Sequence, residues 1–250
     1  MKVLSLGWGV QSFTLAAMAI LGEVEPLEAA LHADTGHESA LTYAFADRWT
    51  PWLEAGGLRV ITVRDLRQSG PADQWGGVFI PAFTSDGRSR GQLRRQCTQC
   101  WKIAPMRRWL QANRHGQAVE QWLGISLDEA TRMRPSDVRY ISNRWPLVER
   151  RMTRADCADW LVRHALEVPP KSSCTFCPFH DAAGWRQTAR VLADWSEAIA
   201  VDAAIRNLRP PHDLFVHPSR RPLVSVDLRT AEERGQIGLW DEECTGTCRT

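Results

Sequence analysis

Lys2-Val3-Leu4-Ser5-Leu6-Gly7-Trp8-Gly9-Val10-Gln11-Ser12 starts with a short apolar run, breaks at two glycines around a tryptophan, and then enters a helical pattern. Phe13, Leu15, Ala16, Met18, Ala19 and Ile20 recur at helical spacing, and the pattern stops at Gly22. Working outward, residues 27–33 read as a second strand, residues 39–55 as a second helix closed by Gly56-Gly57, and residues 58–63 as a third strand. Strands alternating with helices at this spacing need crossover connections, which makes the strands parallel. The predicted class is α/β, a Rossmann-like, mostly parallel sheet with helices on both faces over residues 1–150. A cysteine-containing helical segment and a tail follow over residues 151–250.

Later segments are read the same way. Residues 102–113 form a helix with Pro105 in its first turn, and residues 119–125 return as a strand. Ser126-Leu127-Asp128-Glu129 fits a capping box. Thr153-Arg154-Ala155-Asp156 opens a helix that carries Cys157 and ends at Pro169-Pro170, and two more helices follow at residues 181–193 and 194–208. The Arg-rich stretch 87–96 has no apolar period and reads as a mobile loop.

The 250 residues carry a formal charge of only +2, but the charge is unevenly spread. Residues 81–154 hold fifteen Lys or Arg against six Asp or Glu, while the flanking segments are net negative. A basic middle third of this kind suits a polyanion. Only three of the 31 basic residues are lysines, a bias that a GC-rich genome would produce. At 44% hydrophobic and 24% charged the composition is that of a soluble globular chain, and no apolar run reaches a membrane span of roughly 18–20 residues. Lys2 and the apolar run after it imitate a secretory signal, but Gly7, Trp8, Gly9 and Gln11 interrupt it and Gly22-Glu23-Val24-Glu25-Pro26 is a poor cleavage region. Seven clustered cysteines without an export signal argue for metal or redox chemistry in a cytoplasmic protein.

Glycines between a strand and a helix let backbone N–H groups approach an anion, and the helix N-terminus adds a favourable dipole. Gly7, Trp8, Gly9, Val10, Gln11 and Ser12 therefore form a candidate phosphate loop, although they match neither the dinucleotide fingerprint nor a Walker loop. A tight turn before a helix is the structural alternative. Asp34-Thr35-Gly36 follows the second strand and is expected to share the crevice beyond the strand ends, with Asp34 on a ribose or metal. His37 and Glu38 read as surface or capping groups.

Gly7 to Ser12 resembles a diverged PP-loop of the adenine-nucleotide alpha-hydrolase-like ATP pyrophosphatases and the phosphoadenosine phosphosulfate reductases. Asp34-Thr35-Gly36 resembles the Asp-Thr-Gly of the reductases, and Leu123-Gly124-Ile125-Ser126 with Glu129 and Arg132 resembles a later strand end of that family. The sequence departs from the pattern at Gly7 and Trp8, at Gln11 in place of an acid, and at Ser126 in place of an arginine.

Cys97-x-x-Cys100 and Cys174-x-x-Cys177 have spacing that structural zinc would also use. Pro178 after Cys177, and a helix that can aim Cys157 toward Cys174, favour an iron–sulfur cluster. The resemblance implies Cys97, Cys157, Cys174 and Cys177 as ligands of a [4Fe–4S] cluster, with Cys100 outside the set. Lys102 and Lys171 flank these cysteines, where cations would offset thiolate charge and hold an anionic substrate. Glu243-Cys244 on the tail resembles the Glu-Cys-Gly of the sulfonucleotide reductases, which implies a sulfur nucleophile at Cys244.

The resemblance implies an ATP pyrophosphatase of the DNA-phosphorothioation kind (DndC/SspD type). ATP and Mg2+ would lie on the phosphate loop with Gly124, Asp34, Lys102, Lys171 and Arg132 around them. A nucleic-acid phosphate, DNA favoured, would be adenylated and then take sulfur from a cysteine desulfurase, with other modification-system subunits as further partners. A sulfonucleotide reductase acting through Cys244 is the second class implied. A zinc-stabilised, non-catalytic nucleic-acid-binding module is the third.

Overall fold

Val3 and Leu4 lie in different apolar clusters, as the two-residue period of a strand buried on both faces requires. They belong to β1 (Lys2–Ser5), the central strand of a sheet in a computed structural model that describes residues 1–65 and 71–234. The chain continues through α1 (Val10–Ile20), β2 (Ala29–Asp34), α2 (Ala40–Ala55) and β3 (Arg59–Arg64). Two short strands follow, β4 (Phe83–Ser85) and β5 (Arg90–Gln92), then a π-helical turn (Thr98–Ile103) running into α3 (Ala104–Asn113). Next come β6 (Val119–Leu123), a 3-10 segment (Leu127–Arg132), β7 (Ile141–Arg144), α4 (Pro146–Glu149) and α5 (Arg154–Arg163). The described chain closes with α6 (Ala182–Arg190), α7 (Leu192–Ile205) and β8 (Asp213–Phe215).

The main sheet has the order β3-β2-β1-β6-β7, and every neighbouring pair is parallel. Register pairs Val3 with Ala29 on one side and with Gln121 on the other. One face packs under α1, α2 and α5 around Leu4, Phe13, Phe45 and Leu161; the other packs under α3 around Val3, Leu31, Met106 and Leu110. This is the predicted doubly wound α/β architecture. Fully burying a leucine such as Leu4 is worth about 1.5–3 kcal/mol, so these two layers carry much of the stability.

A second, antiparallel sheet has the order β5-β4-β8 and belongs to a separate apolar cluster. That cluster joins Trp75, Trp101, Phe176 and Trp185 to Ala198 and Val201 of α7. Asp202 anchors it, buried and accepting from the backbone N–H groups of Val216 and Leu223 at 2.9 Å each. The expected mobile loop over residues 87–96 therefore contains a strand: Arg90 and Gln92 stand exposed on β5, and a three-residue strand leaves no readable period. α5 follows residue 150 yet packs on α1, with Thr14 Oγ1 donating to the Cys157 carbonyl at 3.4 Å. Among the described residues no helix is long and apolar enough to cross a membrane.

Candidate functional site

The strand order reverses at β1: β2 and β3 extend to one side, β6 and β7 to the other. In open parallel sheets the crevice forms beyond the carboxyl ends of the strands at such a reversal. A crevice of about 850 Å³ lies there, lined by Gly7, Gly9, Gln11 and Ser12 after β1 and by Gly124 and Ile125 after β6.

The glycine turn is shaped by where its tryptophan goes. Trp8 is 1% exposed and packs its indole against Phe13, His32 and Phe45. Its backbone takes φ 55°, the left-handed region that costs a non-glycine residue roughly 1–2 kcal/mol. Val10 is buried as well. Trp8 and Val10 thus belong to the core rather than to the ligand face, because large apolar side chains between glycines turn inward and leave Gly7 and Gly9 facing the crevice. Ser12 braces the turn, its Oγ accepting from the Gly7 N–H and donating to the Gly9 carbonyl, each at 3.2 Å. Gly124 packs against this brace so closely that a Cβ there would stand 2.8 Å from the Ser12 nitrogen.

Gln11 is the hub of the opposite wall. Its Oε1 accepts from Arg154 Nη1 at 3.0 Å, and its Nε2 donates to Glu129 Oε2 at 3.1 Å and to Ser126 Oγ at 3.4 Å. Arg132 Nη1 holds the other Glu129 oxygen at 2.5 Å. The expected capping box at Ser126 is absent: its hydroxyl is buried toward Gln11, the segment after it is 3-10, and the Glu129 carboxylate is spent on Gln11 and Arg132. A capping box stands instead at Thr153, with Thr153 Oγ1 accepting from the Asp156 N–H at 3.2 Å and Asp156 Oδ2 accepting from the Thr153 N–H at 2.8 Å.

Lys102, Arg107, Arg132, Arg134, Arg154 and Lys171 line the crevice against two carboxylates, Glu129 and Asp137, and Arg107 engages both oxygens of Asp137. Lys171 leans toward Asp181 at 3.8 Å, and Ser172 closes over Gly9. Lys102 Nζ donates to Glu38 Oε1 at 3.0 Å. Burial opposes the Lys102 charge, yet Glu38 and the sulfurs of Cys174 and Cys97 outweigh it and raise its pKa.

Asp34, Thr35 and Gly36 do not line the crevice, because the reversal lies between β1 and β6 rather than beside β2. Asp34 is buried against the Gly36 N–H and the Tyr43 hydroxyl, both at 2.8 Å, and is paired with Arg64. Burial would raise its pKa, but Arg64, Gly36 and Tyr43 outweigh that and lower it. Thr35 Oγ1 meets Cys174 Sγ at 3.4 Å. His37 and Glu38 are buried, not surface groups: His37 Nδ1 meets Glu197 Oε1 at 2.7 Å, and Glu38 keeps Oε2 without a hydrogen-bond partner. This loop is stitched to the cysteine segment by a Glu38–Cys174 bridge, by the Ser39 N–H donating to the Ser173 carbonyl at 3.2 Å, and by the Thr175 N–H donating to the His37 carbonyl at 2.9 Å.

The cysteines divide between the two cores. Cys97, Cys100 and Cys174 pack against the Trp75–Trp101–Phe176 cluster, and Cys177 is close enough to Cys97 and Cys174 to feel their charge. Cys157 is wholly buried in the other cluster, where loss of solvation pushes its thiol up to about 12. Among the described residues no three His, Cys, Asp or Glu side chains are disposed to hold a metal ion. The set Cys97, Cys157, Cys174 and Cys177 does not fit a cubane cluster, because Cys157 packs with Thr14 and Trp160 under the sheet. His180 holds the Cys174 carbonyl through Nε2 at 2.9 Å. Cys244 lies outside the described residues.

Arg134 was legible only as a member of a basic run, to which Arg154 also belongs. Arg154 had one further signal, its place as the first helical residue after the Thr153 cap.

No protein-family model matches this chain, and no curated protein matches it. Among solved structures, it is similar in part to phosphoadenylyl-sulfate (PAPS) reductase from Candida auris in its phosphate complex. The TM-score is 0.46 and the identity 10%, over 67% of this chain and 74% of that one.

Proposed function

We propose that this chain is a nucleotide-handling enzyme that binds a sulfonucleotide of the phosphoadenylyl-sulfate kind and reduces it. The observation that carries this reading is the crevice itself: a glycine turn at a helix start faces six cationic side chains and two carboxylates that arginines already occupy. Phosphate would lie on Gly7, Gly9 and Ser12, with Arg154 and Lys171 around it. The apolar wall of Leu6, Ile103 and Met106 suits a base.

In the proposed reaction a cysteine thiolate, Cys244, attacks the sulfonate sulfur. The sulfur–oxygen bond breaks, and the nucleotide leaves with the electron pair on its phosphate oxygen. A second thiol attacks the S-sulfocysteine, closing a disulfide and releasing sulfite, and an external dithiol reduces the disulfide. The five described cysteines are free thiols, which suits a reducing, cytoplasmic setting.

The test is sulfite release from phosphoadenylyl sulfate with a dithiol reductant. Wild type should form sulfite and nucleoside bisphosphate, and C244S should form neither. Absence of sulfite from the wild type defeats the reductase reading.

A second reading is favoured by the exposed Arg88, Arg90 and Arg94, which add to the positive charge that the crevice arginines carry. Here the enzyme would spend ATP to adenylate a nucleic-acid phosphate, with a cysteine desulfurase as sulfur source. Pyrophosphate release that depends on nucleic acid, without sulfite, is its signature.

A further inference from the structure

Gln11 joins a carboxylate to a guanidinium without adding charge. Its amide nitrogen holds Glu129 at 3.1 Å and its amide oxygen holds Arg154 at 3.0 Å. Glu129 spends its second oxygen on Arg132, and both oxygens of Asp137 are engaged by Arg107. Magnesium is bound through one or two carboxylates, with its other positions on water and phosphate. Here each crevice carboxylate already has its donors, and a divalent cation would enter among six positive side chains. The donor set does not fit Mg2+.

We propose that this crevice binds its phosphorylated ligand without a divalent cation, and that Gln11 is the positioning residue that makes this so. The inference rests on the reading of the crevice as a nucleotide site. With a neutral amide at position 11, Arg154 keeps its full charge for the ligand and Glu129 stays parked on the wall. A carboxylate there would cancel Arg154 and face Glu129 across hydrogen-bond distance. The two acids would then repel each other unless a cation joined them.

The experiment is calorimetric titration of the full chain with ATP and, separately, with adenosine 3′,5′-bisphosphate, in EDTA and in excess Mg2+. Wild type should bind in EDTA at least as tightly as in Mg2+. Gln11→Glu should bind about tenfold more weakly in EDTA and recover when Mg2+ is added, a crossover that a merely structural role would not produce. Gln11→Met, which keeps the shape and removes all three side-chain hydrogen bonds, should bind more weakly in both buffers with no response to Mg2+. Melting curves for each variant establish that the fold persists. Wild-type binding that requires Mg2+, or a Gln11→Glu variant that behaves as wild type, overturns the inference and leaves the nucleotide reading standing. Binding of neither nucleotide in either buffer overturns the nucleotide reading, and the inference with it.

Discussion

Gly124 decides how closely β6 approaches the phosphate turn. Any side chain there would meet the Ser12 backbone nitrogen at 2.8 Å and its Cα at 3.0 Å, and backbone has no rotamer to yield. Gly124→Ala is therefore expected to cost about 1–3 kcal/mol of stability through overpacking. It should also move the Gly7–Ser12 brace and weaken nucleotide binding by more than its loss of stability explains. Denaturant unfolding and nucleotide titration on the same preparation separate the two effects. Gln11 makes a different point about single residues. The sequence shows it only as a departure from a familiar motif, because its partners Ser126 and Arg154 stand 115 and 143 residues away. The direction of the Trp8 side chain was hidden for a related reason: membership of a glycine turn does not reveal which way a side chain faces.

Among the elements, α5 ties the site to a helix cap. Its capping box at Thr153 and Asp156 fixes the first turn, and that turn begins with Arg154 on Gln11. Thr153→Ala is expected to cost about 1 kcal/mol, the usual worth of such a cap, measured as a shift in the denaturant midpoint. The loss should be accompanied by weaker anion binding, because a frayed first turn no longer presents Arg154. Elements with clear periods and glycine stops, from β1 to β3, were legible in the sequence within a residue or two. β4 and β5 were not, because three residues are too few to show a period, and Phe83-Thr84-Ser85 and Arg90-Gly91-Gln92 hold a single apolar side chain between them. The pairing of β6 beside β1 was also hidden, since it depends on contacts remote in sequence, and it moved the crevice away from Asp34.

For the molecule as a whole, buried His32 and His180, together with half-buried His217, contribute to the response to acid. His32 on β2 has Nδ1 3.1 Å from the Leu6 carbonyl, and His180 holds the Cys174 segment; burial lowers both pKa values below 6.5. A histidine with a lowered folded pKa takes its proton first in the unfolded chain, so stability falls as pH drops below the unfolded value. Asp34 has a folded pKa below 3.8 and contributes stability throughout the neutral range, losing it only in stronger acid. The melting temperature should therefore decline between about pH 7.5 and about pH 5.5, while Asp34 remains ionised. His32→Asn should flatten that decline; an unchanged slope would assign it elsewhere.

The position of β1 at the centre of the sheet also bears on how the chain is made. Translation delivers β1, β2 and β3 early, yet the second edge of β1 stays bare until Gln121 emerges to pair with Val3. The turn after β2 likewise waits for Ser173 and Thr175. A nascent chain stalled between those points presents an unpaired parallel edge, the kind of surface that captures other strands and that chaperones shield. The strand that docks last against β1 carries Gly124 at its end, and Lys171 and Ser172 arrive with the stitch over its neighbour, so the nascent chain completes its ligand site only after residue 172 has emerged.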